Sequence, residues 1–436
     1  MDKLTIGLFN DSFPPTLDGV ANAVVNYAKA IQKNHANVVV ATPFYPNVVD
    51  DYPFEVVRYP SAHISKRLGY RAGYPFNSAV IARLEAKKID LIHTHSPFSS
   101  TILARVLRYY TGAPIVLTYH TKFDIDIEKR LAFNPARKAS VRMLLSNINA
   151  CDEVWAVSEG AGENLRNLGY RGKCVIMENG ADYTKGKSPQ GEMDSLRENL
   201  GLDEDMPTFL YVGRMMWYKG IRLTVDALRI ARDNGEDFRM IFVGEGADRK
   251  EIMDYVEEKG LSDRCLFTGA IYDRDELKVY FSIAHLFLFP STYDTNGIVV
   301  REAAACHTAS LLVRGSCAAE GILHNDTGIL AEEEAASIAE QVILACSNLP
   351  LLKRIGDTAA DRLYLSWEDA VRKAFLRYEK ILSEYPNSDS KIDVDSGVIR
   401  RIHLIKERYS KGRLKITNTY QKTEERLKIS VDRIFR

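Results

Sequence analysis

Short apolar runs, many of them rich in β-branched residues, alternate along this chain with longer stretches of helical periodicity, and the rhythm stops once and resumes. Residues 4–9, 37–42, 89–94, 115–119, 153–157 and 174–177 read as strands. Several are apolar on both faces, as expected of parallel strands covered by helices on each side. Residues 21–33 read as an intervening helix, so the pattern is the βαβ repeat of a doubly wound sheet. Between about residues 183 and 207 the chain turns polar, carries Gly186, Pro189, Gly191 and Pro207, and lacks sustained apolar periodicity. That predicts a domain boundary. Strands then recur at 208–212, 239–243, 265–268, 286–289 and 310–313, with helices such as 221–233 and 250–259 between them. Two such domains in series bind ligands at the carboxyl ends of their strands, in the cleft between them. A length of 436 residues suits this division, at roughly 100–200 residues per domain.

Composition narrows the function classes. Lys and Arg together number 58, as do Asp and Glu, so no whole-chain field recruits nucleic acid. The six cysteines are scattered, with no C-x-x-C pair, and no histidine cluster has metal-ligand spacing. Buried thiols in a reducing compartment follow. The apolar stretch at the N-terminus is too short for a signal sequence and reads as the first strand. No apolar run approaches the ~20 residues that cross a bilayer. The expectation is a cytoplasmic protein, at most peripheral to the inner face of a membrane. Residues 366–385 form a long amphipathic helix. Beyond them, residues 398–436 carry twelve Lys or Arg against four Asp or Glu.

Three places carry chemistry. Gly19 precedes a helix, where an approaching ligand meets unpaired N–H groups and a dipole that favours an anion; the plain alternative is an ordinary turn. Arg214 and Lys219, in GRMMWYKG, follow a strand at the expected cleft and suit the charge of a departing diphosphate. Positive charge near a helix start opposes the dipole, which argues against idle surface residues. The third place is FPSTYDTNGIVVREAAAC. Gly297 opens a helix whose first N–H groups, at Gly297, Ile298 and Val299, suit a pyrophosphate. Asp294 precedes that turn and can bond sugar hydroxyls. Glu302 lies within an otherwise apolar helix and can accept two ribose hydroxyls. The alternative is Asp294 as a cap and Glu302 as a surface residue.

The stretches PPTLDGV, IHTHSPF, TYHTKF, VSEG, IMENGAD, VGRMMWYKG, FVGEG, FTGAI and DTNGIVVREA occur in that order. Together they resemble the retaining glycosyltransferases of family 4, or group 1, which have the GT-B architecture of two Rossmann-like domains facing a cleft. The resemblance covers about the first 385 residues. It implies an acceptor domain over 1–185, a nucleotide-sugar domain over 186–365 and a crossover helix over 366–385 returning to the first domain; the composition beyond it reads as a basic amphipathic tail over 386–436. It further implies that Gly19 contacts the donor phosphates and that His120 faces the reacting sugar. Arg214 and Lys219 match the diphosphate-binding pair, and the backbone around Ile271 matches the base site. Asp294 and Glu302 match the two acids of the family's E-x7-E motif. Asn296, Gly297, Ile298 and Val299 match its donor-binding turn. The implied enzyme is a retaining hexosyltransferase with a nucleotide-diphosphate sugar as co-substrate, a UDP-sugar favoured over a GDP-sugar. No metal is required, since Arg214 and Lys219 do what a divalent ion does elsewhere.

Two departures stand out. The first acid is Asp294 rather than Glu, one methylene shorter, and the family has glycine at His307 and proline at Ala309. A sugar-nucleotide isomerase of the same architecture, or a degenerate non-catalytic binding subunit, would carry part of this pattern. A dehydrogenase is disfavoured, because Gly19 is not part of a G-x-G-x-x-G run. His93 and His95 read as structural or acceptor-side. The acceptor is expected to be a membrane lipid or a cell-envelope glycan. THSPF and TYHTKF resemble members that glycosylate diacylglycerol or phosphatidylinositol. The basic, apolar-studded tail 398–436 and the aromatic-basic stretch 63–76 suit an anionic membrane surface, although a solvated or partner-binding tail has the same composition.

Overall fold

The computed structural model describes residues 3–16, 18–63, 71–123 and 134–385. The basic tail, including 398–436, and positions 64–70 of the aromatic-basic stretch lie outside the described residues. The first half of the chain supplies β1 (Thr5–Phe9), β2 (Asn37–Pro43), β3 (Glu55–Tyr59), a short antiparallel pair β4 (Ser61–His63) and β5 (Arg71–Gly73), β6 (Leu91–Thr94), β7 (Ile115–Tyr119), β8 (Glu153–Ala156) and β9 (Cys174–Ile176). All but the antiparallel pair form one sheet of seven parallel strands, in the order β3-β2-β1-β6-β7-β8-β9. The second half supplies β10 (Thr208–Val212), β11 (Arg239–Val243), β12 (Cys265–Gly269), β13 (Leu286–Phe289), β14 (Ala309–Val313) and β15 (Ile329–Ala331). These form six parallel strands in the order β12-β11-β10-β13-β14-β15.

Each sheet reverses its direction of growth once. In the first the reversal falls between β1 and β6, with Ile6 beside Leu91; in the second it falls between β10 and β13, with Phe209 beside Leu286. Loops diverge at such a point and leave a crevice beyond the strand ends. The loops bearing Arg214, Lys219 and Asp294 leave the ends of β10 and β13, at the second crevice.

Strands β7, β10, β13 and β14 are buried along their whole length, which explains why their apolar runs were so legible. The final helix, Trp367–Glu384, is capped by Ser366, whose hydroxyl accepts from Asp369 N. It buries Trp367, Val371, Ala374 and Tyr378 in the same cluster as Ile6, Leu8 and Trp155 of the first sheet. Arg377 adds a bond from Nε to Glu153 at 2.8 Å. The chain thus ends its described course against the half in which it began.

Residues 183–207 differ from expectation. A helix, Gln190–Leu200, occupies part of this polar segment and ends at Gly201 in the left-handed region. Met193 is the one fully buried side chain on it, too little apolar surface to produce a periodic signal. The predicted strands match closely, but β3, the short antiparallel pair β4 and β5, and the three-residue β15 were not foreseen.

Candidate functional site

The turn Trp217–Lys219 follows β10, and Gly220 ends it with φ at 79°. A Cβ at Gly220 would lie 2.2 Å from the Pro290 carbonyl oxygen, so only glycine lets this turn press against the end of β13. That approach sets Lys219 beside Asp294, with Nζ 2.5 Å from Oδ1. Ser291 Oγ donates to Asp294 Oδ2 at 2.5 Å. Lys219 is 8% exposed, and its ammonium lies 5.8 Å from the ring centres of both Tyr218 and Tyr293. Arg214 stands exposed at the rim. The two residues expected to act as a cation pair thus differ in burial: Lys219 is buried against an acid, and Arg214 is exposed. Asp294 is not a helix cap.

The helix Ile298–Ala305 begins after Gly297, which has φ of 60° and no side chain capping the helix start. A Cβ on Gly297 would sit 2.8 Å from Ala318 Cβ. The first-turn amides of a helix start without a side-chain cap are donors of the kind that suit an anion. Glu302, further along it, is 3% exposed and forms an ion pair with Arg274. Burial pushes its carboxyl up to about 7, while the Arg274 guanidinium pulls the other way. Arg274 Nη2 also lies 3.1 Å from Asp182 Oδ2, and the guanidinium covers the Tyr183 ring at 4.7 Å. Asp182 in turn accepts from Asn22 Nδ2 at 2.9 Å, Asn26 Nδ2 at 2.8 Å and Trp367 Nε1 at 2.7 Å. A continuous polar path therefore joins Glu302 to the helix Gly19–Asn34. Asp18 caps that helix, Gly19 is exposed, and a Cβ at Gly19 would meet nothing within 4 Å. Ile271 packs, half-buried, against the second core three residues before Arg274.

His120 lies just beyond β7, is 7% exposed, and sets its Nε2 2.9 Å from His95 Nδ1. Burial lowers its imidazole to about 3, so it is neutral at ordinary pH. Its carbonyl accepts from Thr295 Oγ1 at 2.5 Å. Ser158 Oγ donates to the Thr295 carbonyl at 2.5 Å, and Asn296 Nδ2 to the Val157 carbonyl at 2.8 Å. Lys122 Nζ reaches the Thr292 carbonyl at 3.0 Å. Glu320 completes the seam, taking Glu159 N at 2.8 Å and Gly160 N at 2.6 Å at a helix N-terminus of the first half. The loop carrying Asp294 is thereby stitched to the loop carrying His120. Sequence reasoning missed Arg274, Asp182, Thr295, Ser158 and Glu320. Ser158 inside VSEG, Asp182 inside IMENGAD and Thr295 inside DTNGIVVREA had a motif to point to them; Arg274 and Glu320 had none.

His307, where glycine was expected, has φ of 59°, and its Nδ1 lies 2.8 Å from Asp357 Oδ1. A left-handed position explains the preference for glycine, and the Asp357 contact gives the imidazole a partner. Among the described residues no group of three or more His, Cys, Asp or Glu could hold a metal ion, and no single helix is long and apolar enough to cross a membrane.

Two parallel sheets whose crevices are joined in this way place the molecule in the GT-B class of fold. Anabaena HepE in complex with UDP has the same fold, with a TM-score of 0.70 at 17% identity over 86% of this chain and 100% of that one. Residues 17–185 match the profile described as Glycosyltransferase Family 4, and residues 192–362 that of Glycosyl transferases group 1. The chain belongs to this family and is a nucleotide-sugar-dependent glycosyltransferase. It is 23% identical to the alpha-monoglucosyldiacylglycerol synthase of Streptococcus pneumoniae over 70% of each chain. It is also 26% identical to the GDP-mannose-dependent alpha-(1-6)-phosphatidylinositol dimannoside mannosyltransferase of Mycobacterium tuberculosis, over 65% of this chain and 71% of that one.

Proposed function

We propose that this protein transfers a hexose from a nucleoside-diphosphate sugar, a UDP-sugar before a GDP-sugar, to a hydroxyl of a membrane lipid or cell-envelope glycan, with retention at the anomeric carbon. The observation that carries the donor reading is the buried Glu302 carboxylate inside a helix that opens at an uncapped N-terminus. A carboxylate in that place accepts both ribose hydroxyls, while the helix amides take the diphosphate. Gly19 leaves room for the phosphates from the opposite side. The backbone around Ile271 takes the base, and Asn296, Gly297, Ile298 and Val299 form the diphosphate turn.

Lys219 and Arg214 offset the charge that grows on the diphosphate as the sugar bond breaks, which is electrostatic stabilisation in a water-poor site. Asp294 bonds hydroxyls of the sugar and orients Lys219. The acceptor oxygen attacks from the face the diphosphate leaves, and a phosphate oxygen takes its proton. His120, neutral, bonds the reacting sugar without setting a cation against the carbon that becomes electron-poor. No step requires a metal. Residues 1–185 serve the acceptor and 186–365 the donor, 366–385 returns to the first domain, and 386–436 is the basic tail.

The lipid acceptor is supported by the two relatives whose names specify lipid products, and by the composition of 398–436. The enzyme then works on the cytoplasmic face of the cell membrane, held there peripherally. A thermal-shift panel of UDP-, GDP- and ADP-sugars identifies the donor, because a ligand bound to the native state raises apparent stability. Labelled donor is next incubated with vesicles containing diacylglycerol or phosphatidylinositol. Label in the lipid fraction is the expected result. Epimerised donor without transfer indicates an isomerase, and binding with no turnover on any acceptor indicates a non-catalytic subunit.

A further inference from the structure

Three histidines lie side by side at the carboxyl ends of β6 and β7. The rings of His93 and His95 are 4.0 Å apart between centres, and those of His95 and His120 are 5.2 Å apart. Both nitrogens of His93 are engaged, Nδ1 with the Tyr378 hydroxyl at 2.5 Å and Nε2 with Thr118 Oγ1 at 2.7 Å. His95 differs. Its Nδ1 faces His120 Nε2 at 2.9 Å, but its Nε2 is buried and meets no hydrogen-bonding partner among the described residues. Burial lowers the proton affinity of all three rings, so each is neutral.

A neutral imidazole carries one N–H, so one proton lies between the two facing nitrogens and only two arrangements exist. If His120 Nε2 donates, the His95 proton must sit on its buried Nε2, an N–H with no acceptor. If His95 Nδ1 donates, the buried Nε2 holds only a lone pair. Orphaned buried N–H groups are rarer than under-satisfied acceptors, which favours the second arrangement. That arrangement leaves the proton of His120 on Nδ1, since the hydrogen bond at one ring nitrogen fixes the state of the other.

We propose that His95 is a positioning residue that locks His120 in the Nδ1–H tautomer, so that His120 offers the donor sugar an N–H rather than a lone pair. The functional half of this inference rests on the reading of His120 as a sugar-facing residue. The lock itself rests on the 2.9 Å contact and the unpartnered Nε2. A ring that can only donate selects hydroxyl oxygens as acceptors and fixes the orientation of the sugar before the diphosphate leaves.

The test is two-bond proton–nitrogen correlation spectroscopy on the full chain labelled with ¹⁵N-histidine. There are nine histidines, and His120→Gln assigns the signal of interest. The wild type should show the Nδ1–H pattern at His120. His95→Leu should lose it in favour of the Nε2–H form that free imidazole prefers, and His95→Asn, whose amide N–H stands near the place of Nδ1–H, should restore it. An Nε2–H pattern at His120 in the wild type overturns the lock without recourse to any variant, as does an Nδ1–H pattern that survives His95→Leu. UDP-glucose and GDP-mannose are then added in turn, and the one that raises the melting temperature should shift the His120 signal. No shift under that condition overturns the sugar-facing role of His120 and leaves the His95 lock standing.

Discussion

Lys219 Nζ stands 2.5 Å from Asp294 Oδ1, and Ser291 holds the other oxygen of the same carboxylate. The cation proposed to meet the diphosphate is therefore pre-set by the acid proposed to meet the sugar. Asp294→Ala should lower sugar turnover at least ~10²-fold, the scale seen when one fixed electrostatic contact to a transition state is removed. Nucleotide affinity should stay equal or rise, because Lys219 is released. Lys219→Ala should weaken both. The double variant should fall short of the sum of the two, since the residues act as one unit. Turnover and calorimetric affinity of the four proteins check this.

Glu302 predicts a pH dependence. Burial pushes its folded-state value up to about 7, above the 4.5 usual for a glutamate. The stabilising share of this group is fully present below its unfolded value and is lost as pH rises through about 7. Nucleotide binding runs the other way. Ribose hydroxyls donate to the ionised carboxylate, so affinity should climb as pH rises through the same window. Glu302→Gln should flatten both profiles. His120, lowered to about 3, does not titrate in that range and adds no second step. Unfolding and nucleotide titrations between pH 5 and 8.5 read both signs.

The seam between the halves depends on few groups. Glu320 accepts two backbone N–H groups at the start of the helix Glu159–Asn167, and Thr295 bonds the His120 carbonyl. Glu320→Ala should cost about 0.5–2 kcal/mol, the range for a lost helix cap. Together with Thr295→Val it should raise the radius of gyration and the donor KM more than either change alone. X-ray scattering and donor kinetics measure the two effects.

Trp155 is fully buried and stacks on Tyr378 of the final helix, with ring centres 5.4 Å apart. Trp155→Ala should destabilise by about 3–5 kcal/mol through the cavity it leaves. Tyr378→Phe removes only the hydroxyl at His93 Nδ1 and should cost about 1 kcal/mol. Chemical denaturation distinguishes the two.

What could be read from the chain followed the physics of each signal. Strands such as Ile115–Tyr119 and Leu286–Phe289 are apolar on both faces because helices cover both sides, so their limits were plain. The helix Gln190–Leu200 buries one residue fully and left no trace in the periodicity. At the site, Asp294, Gly297 and Glu302 sit together on one short segment, where motif and geometry coincide. Arg274, Asp182 and Glu320 act on residues 28, 92 and 161 positions away respectively, and pairings of that span leave no local pattern. His95 lay inside a recognised motif, but its contact with His120 arises only when β6 and β7 lie side by side.

The central claim is that Glu302 and the helix start before it hold a nucleoside diphosphate. Calorimetric titration of UDP and GDP into the wild type and Glu302→Gln at pH 8, where the carboxyl is ionised, tests it most directly. The account predicts saturable binding of one nucleotide to the wild type and at least a ~10-fold loss in the variant, a change of about 1.4 kcal/mol. Equal affinity for the two proteins, or no binding to the wild type, would contradict it.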